Sequence, residues 1–94
     1  MNIRFYLDPE TGQPHIYNHR VNEEEVEEVF NSRREDRPGR DGSRMAIGQT
    51  LSGRYLKIIY LPDPQPKSVC VITAYELQGK PLVAYRKRHR RKKK

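Results

Sequence analysis

The chain has 94 residues, 19 Lys and Arg against 12 Asp and Glu, and a formal charge of +7. That length allows one domain with one modest core, and a single cysteine, Cys70, excludes an internal disulfide. No run approaches the roughly 18 apolar residues of a membrane span, and the start, Met-Asn-Ile-Arg-Phe-Tyr, lacks a signal peptide's apolar region, so the sequence reads as cytosolic.

In chain order, Ile3 to Leu7 alternates and suits a short strand, and Asp8 to Pro14 has the composition of a loop. His15 to Arg20 suits one helical turn, which would place His15 and His19, four apart, on one face. With Cys70 or His89 they suggest a metal site, but the spacing is not a zinc pattern and no metal or cofactor is expected.

Asn22 to Asn31 is the clearest helix. Asn22 is an N-cap, and Glu25 completes a capping box. Val21 and Val26 occupy the staple positions, and Glu23, Glu24 and Glu25 face the positive end of the dipole. Val26, Val29 and Phe30 form a narrow apolar stripe. So short a helix is not stable alone, and the stripe must dock on a sheet.

Arg33 to Ser43 is polar, with Pro-Gly and Asp-Gly turns, and part of it suits an edge strand. Three segments rich in β-branched and aromatic residues follow between Arg44 and Leu77, separated by turn residues. They read as an antiparallel meander that carries the core. In it Leu56, Ile58 and Tyr60 share one face, and Tyr55, Lys57 and Ile59 the other. In the last strand Cys70, Ile72 and Ala74 oppose Val71, Thr73 and Tyr75. The expected fold is α+β, one main helix on a twisted antiparallel sheet, with core residues Val26, Val29, Phe30, Leu56, Ile58, Cys70 and Ile72.

A short terminal helix is expected from Pro81. Eight of the 19 basic residues lie in residues 86–94 with no acid, which leaves 11 basic and 12 acidic residues in a nearly neutral body. The domain is therefore expected to cover 1–85, with 86–94 a disordered basic tail.

The order His19-Arg20-Val21, a capped Glu-rich helix ending in Val29-Phe30, Arg44 before a strand, Ile47-Gly48-Gln49-Thr50, Gly53-Arg54-Tyr55-Leu56 and Val71-Ile72-Thr73-Ala74 resembles the BrnT-type toxins of bacterial toxin–antitoxin pairs and the small families near them in the RelE-like group. The resemblance covers roughly residues 3 to 77 and rests on the shared order of short motifs. It implies a RelE-like fold, a cytoplasmic endoribonuclease and a partner antitoxin. Tyr75 stands where those toxins tend to carry an Arg.

Cleavage of that kind needs no metal: the ribose 2′-OH attacks the adjacent phosphate, cations hold the developing charge, and a side chain moves a proton. Arg44 and Arg54, which the resemblance matches, suit the first task, with Lys57 nearby. Tyr75 or Tyr60 suits proton transfer or base stacking. Arg44, Arg54 and Tyr75 are therefore the expected catalytic set. Lys57 and the tail residues Arg86, Lys87, Arg88, Arg90 and Arg91 are the expected contacts to RNA or ribosome. The competing expectations are a non-catalytic RNA- or ribosome-binding module, and a structural protein that docks an acidic partner through its tail.

Overall fold

The computed structural model describes residues 2–32, 34–65 and 67–91, the last two as backbone. The fold is α+β. Five strands, β1 (Asn2–Phe5), β2 (Glu35–Pro38), β3 (Arg44–Gln49), β4 (Tyr55–Pro62) and β5 (Ser68–Glu76), form one sheet in the order β1-β5-β4-β3-β2. Between β1 and β2 lie a 3₁₀ turn, His15–His19, and helix α1, Glu23–Phe30; helix α2, Gly79–Arg91, ends the described chain.

β2 to β5 form the expected antiparallel meander, with β2 as an edge strand. The sheet as a whole is mixed, not antiparallel, because β1 pairs β5 in parallel. Parallel neighbours need a crossover connection, and the segment holding the 3₁₀ turn and α1 provides it. Arg4 on β1 ties to Asp63 before β5 at 2.6 and 3.1 Å, and Ser68 Oγ donates to the same carboxylate at 2.6 Å. These donors hold the Asp63 carboxyl below its usual range, Arg4 foremost.

Helix α1 starts as its sequence dictates. The Asn22 side chain accepts from the Glu25 amide at 2.9 Å, and Glu25 Oε1 accepts from the Asn22 amide at 3.1 Å. Its buried stripe, Val26, Val29 and Phe30, shares one core cluster with Ile16, Val21, Ala46, Leu56, Ile58, Tyr60, Val69, Val71 and Ala74. Gly48 lets helix and sheet approach closely: a Cβ there would lie 3.0 Å from Val29 Cγ1 and 3.3 Å from Arg34 Cβ.

Two expected core residues, Cys70 and Ile72, are only half-buried, and Val69 and Val71 take their place. A bulge is the reason. Ile59 pairs Thr73 while Tyr60 pairs Val71, so Ile72 has no partner of its own. One extra residue turns the alternation over, and the core face of β5 switches from odd to even numbers between Val71 and Ala74.

The expected boundary after Tyr85 falls inside a helix. Helix α2 runs on through Arg91, and Tyr85 is 5 % exposed. Tyr85 packs with Ile47, Leu77, Tyr55 and Leu82 in a second cluster. Residues 92–94 of the expected tail lie outside the described residues.

Val29 is fully buried and has little room to give. Gly48→Ala should therefore cost about 1–3 kcal/mol by overpacking, read as a lower urea midpoint at unchanged m-value. An unchanged midpoint would show that α1 yields without loss.

Candidate nucleic-acid interface

The sheet has a near face under α1 and a far face. Glu35, Ile47, Lys57 and Tyr75 stand side by side in the registers of β2, β3, β4 and β5, a row of four on the far face. Tyr55 lies two residues from Lys57 and shares that face. Helix α2 covers one end of it. The Tyr55 and Tyr85 rings meet edge to face at 5.7 Å, and the Arg86 guanidinium lies 5.2 Å from the Tyr55 ring centroid.

Glu35 anchors the helix. Arg88 donates to both of its carboxylate oxygens, at 2.6 and 2.9 Å, and His89 Nε2 lies 3.1 Å away. Arg37 adds a contact at 3.4 Å. These partners, Arg88 foremost, hold the Glu35 carboxyl below its usual range. Burial, and then the Glu35 charge, raise the Tyr85 phenol.

The expected catalytic residues are not brought together. Arg44 opens β3 and Arg54 lies beyond its far end, so a strand of six residues, roughly 17 Å, separates them. Arg44 Nε donates to Asp36 at 2.6 Å, the Tyr60 hydroxyl donates to the other oxygen of Asp36, and Arg34 lies 3.9 Å from that carboxylate. Phe30 meets the Tyr60 ring edge to face at 5.1 Å, with the Arg34 guanidinium 5.2 Å from Phe30. Arg44 and Tyr60 thus tie β2, β3 and β4 together. The bond to Asp36 strengthens the charged form of Arg44, and burial followed by Asp36 raises the Tyr60 phenol.

Arg54 is likewise engaged. Its guanidinium donates to Glu25 at 2.7 Å, to the Arg20 carbonyl at 2.9 Å and to Glu76 at 3.3 Å. Glu25 first, then Glu76, favour its charged form. It clamps α1, the residue after the 3₁₀ turn, and the end of β5.

Tyr75 and Lys57 do meet, as directly paired residues of β5 and β4. Lys57 makes no ion pair with a described carboxylate. Of the expected RNA contacts, Arg86 and Lys87 are exposed on α2, Arg88 is committed to Glu35, and the backbone of Arg90 and Arg91 forms the last turn. The expectation missed the part of Tyr55, whose ring supports Arg86, and the place of the expected turn at His15–His19, which sets His19 against Tyr75 with ring centroids 6.0 Å apart. The i, i+4 spacing of His15 and His19 was the available signal for the second.

Among the described residues no helix is long and apolar enough to cross a membrane, and no three His, Cys, Asp or Glu side chains gather as a metal ion would need. Comparison with protein-family models, curated proteins and solved structures finds no match.

Arg54→Ala should cost about 2 kcal/mol, because it removes one donor each from two carboxylates and a carbonyl; urea unfolding checks this. Glu35→Gln should cost about 1 kcal/mol at neutral pH, or about 4–8 °C in Tm for a domain of this size. The folded Glu35 carboxyl titrates below its unfolded value, so its contribution is complete above about pH 4.3. It is lost as pH falls through the folded value. Melts of both proteins should therefore converge toward low pH, and a gap that persists there would count against the Glu35–Arg88 tie.

Proposed function

We propose that this chain is a toxin-like RNA-binding protein, with a RelE/BrnT-like arrangement of α1 over the meander, that takes single-stranded RNA on the far face of its sheet. The observation that carries the reading is the joining of Lys57, Tyr75 and the Arg86–Tyr55 pair on one face with a basic helix beside them. Lys57 and Arg86 neutralise phosphates, Tyr75 offers a flat ring on which a base stacks, and Tyr55 supports the Arg86 guanidinium. Arg44 and Arg54 act as ties within the fold rather than as phosphate ligands. In this reading the protein belongs to a type II toxin–antitoxin pair, and the antitoxin covers the same face.

Fluorescence anisotropy with a single-stranded RNA, titrated at several salt concentrations, tests the interface. Lys57→Ala, Arg86→Gln and Lys87→Gln should each weaken binding and flatten the plot of log affinity against log salt by about 0.7. Tyr75→Ala should cost about 1–3 kcal/mol if a base stacks there. Slopes equal to the parent's in all three charge variants would defeat the reading. Expression from an inducible plasmid in bacteria should arrest growth if the bound RNA is cut; harmless expression with tight RNA binding would leave a non-catalytic module.

A further inference from the structure

The far-face row does not stop at Tyr75. Beyond it the 3₁₀ turn presents two imidazoles. His19 meets the Tyr75 ring at 6.0 Å, and His15 meets His19 edge to face at 5.6 Å. His15 Nδ1 lies 3.4 Å from Asp8 Oδ2, and Asn18 Nδ2 sits between them, 2.9 Å from the carboxylate and 3.3 Å from the ring nitrogen. Asp8 is itself fixed, since it accepts from the Glu10 amide at 2.9 Å and its side chain is largely covered. These bonds, the Glu10 amide first, hold its carboxyl below the usual range. His15 is a third exposed, and His19 lies open on the surface. Tyr6, 44 % exposed, closes the series 6.4 Å from His15.

We infer that His15 and His19 are the acid–base pair of an RNA-cleaving site, with Lys57 holding the scissile phosphate and Tyr6 and Tyr75 flanking it. The inference rests on the RNA-binding reading above and supplies the chemistry that Arg44 and Arg54, tied elsewhere, do not. Asp8 is a positioning residue: with Nδ1 of His15 held beside it, Nε2 is left to face substrate. Two rings whose centres are 5.6 Å apart each reach about 3 Å by hydrogen bonding, enough to address two oxygens of one phosphodiester. Lys57 stands one strand from Tyr75, about 5 Å between Cβ atoms, and its long stem brings the ammonium toward the same phosphate.

The step balances within the substrate and the two rings. One neutral imidazole takes the proton of the ribose 2′-OH as O2′ attacks phosphorus. The P–O5′ bond breaks, its electron pair goes to O5′, and the other ring, as imidazolium, gives O5′ a proton. The products are a 2′,3′-cyclic phosphate end and a 5′-hydroxyl end.

The experiment uses the full chain and a single-stranded RNA, with binding read by anisotropy and products by mass spectrometry. The parent should release cyclic-phosphate and 5′-hydroxyl ends. His15→Gln and His19→Gln should each slow cleavage by about 100-fold or more while binding stays within a few-fold and the melting temperature holds. A substrate with sulfur in place of the bridging O5′ leaves without a general acid, so it should restore cleavage in the variant lacking the acid and not in the one lacking the base. Asp8→Asn should lower kcat with KM unchanged, and Asp8→Glu should restore it. Undiminished cleavage in the double variant His15→Gln/His19→Gln, or sulfur rescue of both single variants or of neither, overturns the pair. RNA that binds tightly and is never cut also overturns it while leaving the binding reading in place; failure to bind RNA at all removes the reading itself.

Discussion

One guanidinium holds the two halves of this fold in register. Arg54 follows the β3–β4 turn, and it reaches Glu25 on α1, the Arg20 carbonyl and Glu76 at the end of β5. Glu25 serves twice, with one oxygen on its own helix cap and the other on Arg54. The helix start and the residue that leads into β4 are therefore fixed by the same carboxylate. Glu28 adds a second tie, accepting from the Leu51 amide in the same turn at 3.0 Å. An eight-residue helix lacks the length to be stable alone, and these bonds, with the packing of Val26, Val29 and Phe30, give it a fixed seat. The Arg20 carbonyl is the link to the proposed site. Arg20 has a left-handed backbone, φ 59°, directly after the 3₁₀ turn, and bonding its oxygen fixes where that turn meets β5. The contact of His19 with Tyr75 depends on it.

The second constraint is the bulge in β5. It turns the alternation over between Val71 and Ala74, so the strand presents small or branched residues, Val69, Val71 and Ala74, to the core on both sides of the bulge. The next side chain after Ala74 is Tyr75, on the far face beside Lys57. Without the extra residue, one half of β5 would point its apolar side chains away from the core. Bulges recur where a strand must re-aim a side chain, and here the re-aimed one is Tyr75.

What could be read in the sequence was local. The cap at Asn22, the stripe on α1, the even face of β4 and the pairing of the meander all depend on residues within a few positions of one another, and all are found. The i, i+4 histidines also share a face, though the spacing carried no hint that Asp8 and Tyr75 would flank them. The missed features are non-local. No residue in Asn2–Phe5 announces a parallel partner more than sixty positions away. Cys70 and Ile72 read as core because simple alternation hides a bulge. Arg88 and His89 read as solvated tail because their carboxylate, Glu35, lies more than fifty positions earlier, in a stretch that looks uniformly polar.

That last pairing changes the physics of the basic end. A free run of eight like charges explores many shapes, and binding any one phosphate path costs it that freedom. Docking α2 through Tyr85 and Glu35 spends the Arg88 charge, so the ridge gains order at the expense of one cation. In return Arg86 lies over the Tyr55 ring, held near Lys57 rather than swinging in solvent. In the proposed complex an RNA strand meets cations already arranged along one end of the far face, and less ordering remains to be done on binding. The neutral body contributes to the same end. With acids and bases nearly balanced over residues 1–85, the field outside the protein is set by α2 and the residues after it. An incoming polyanion is drawn to that end first, and the far-face row from Lys57 toward Tyr75 and the histidines leads away from it.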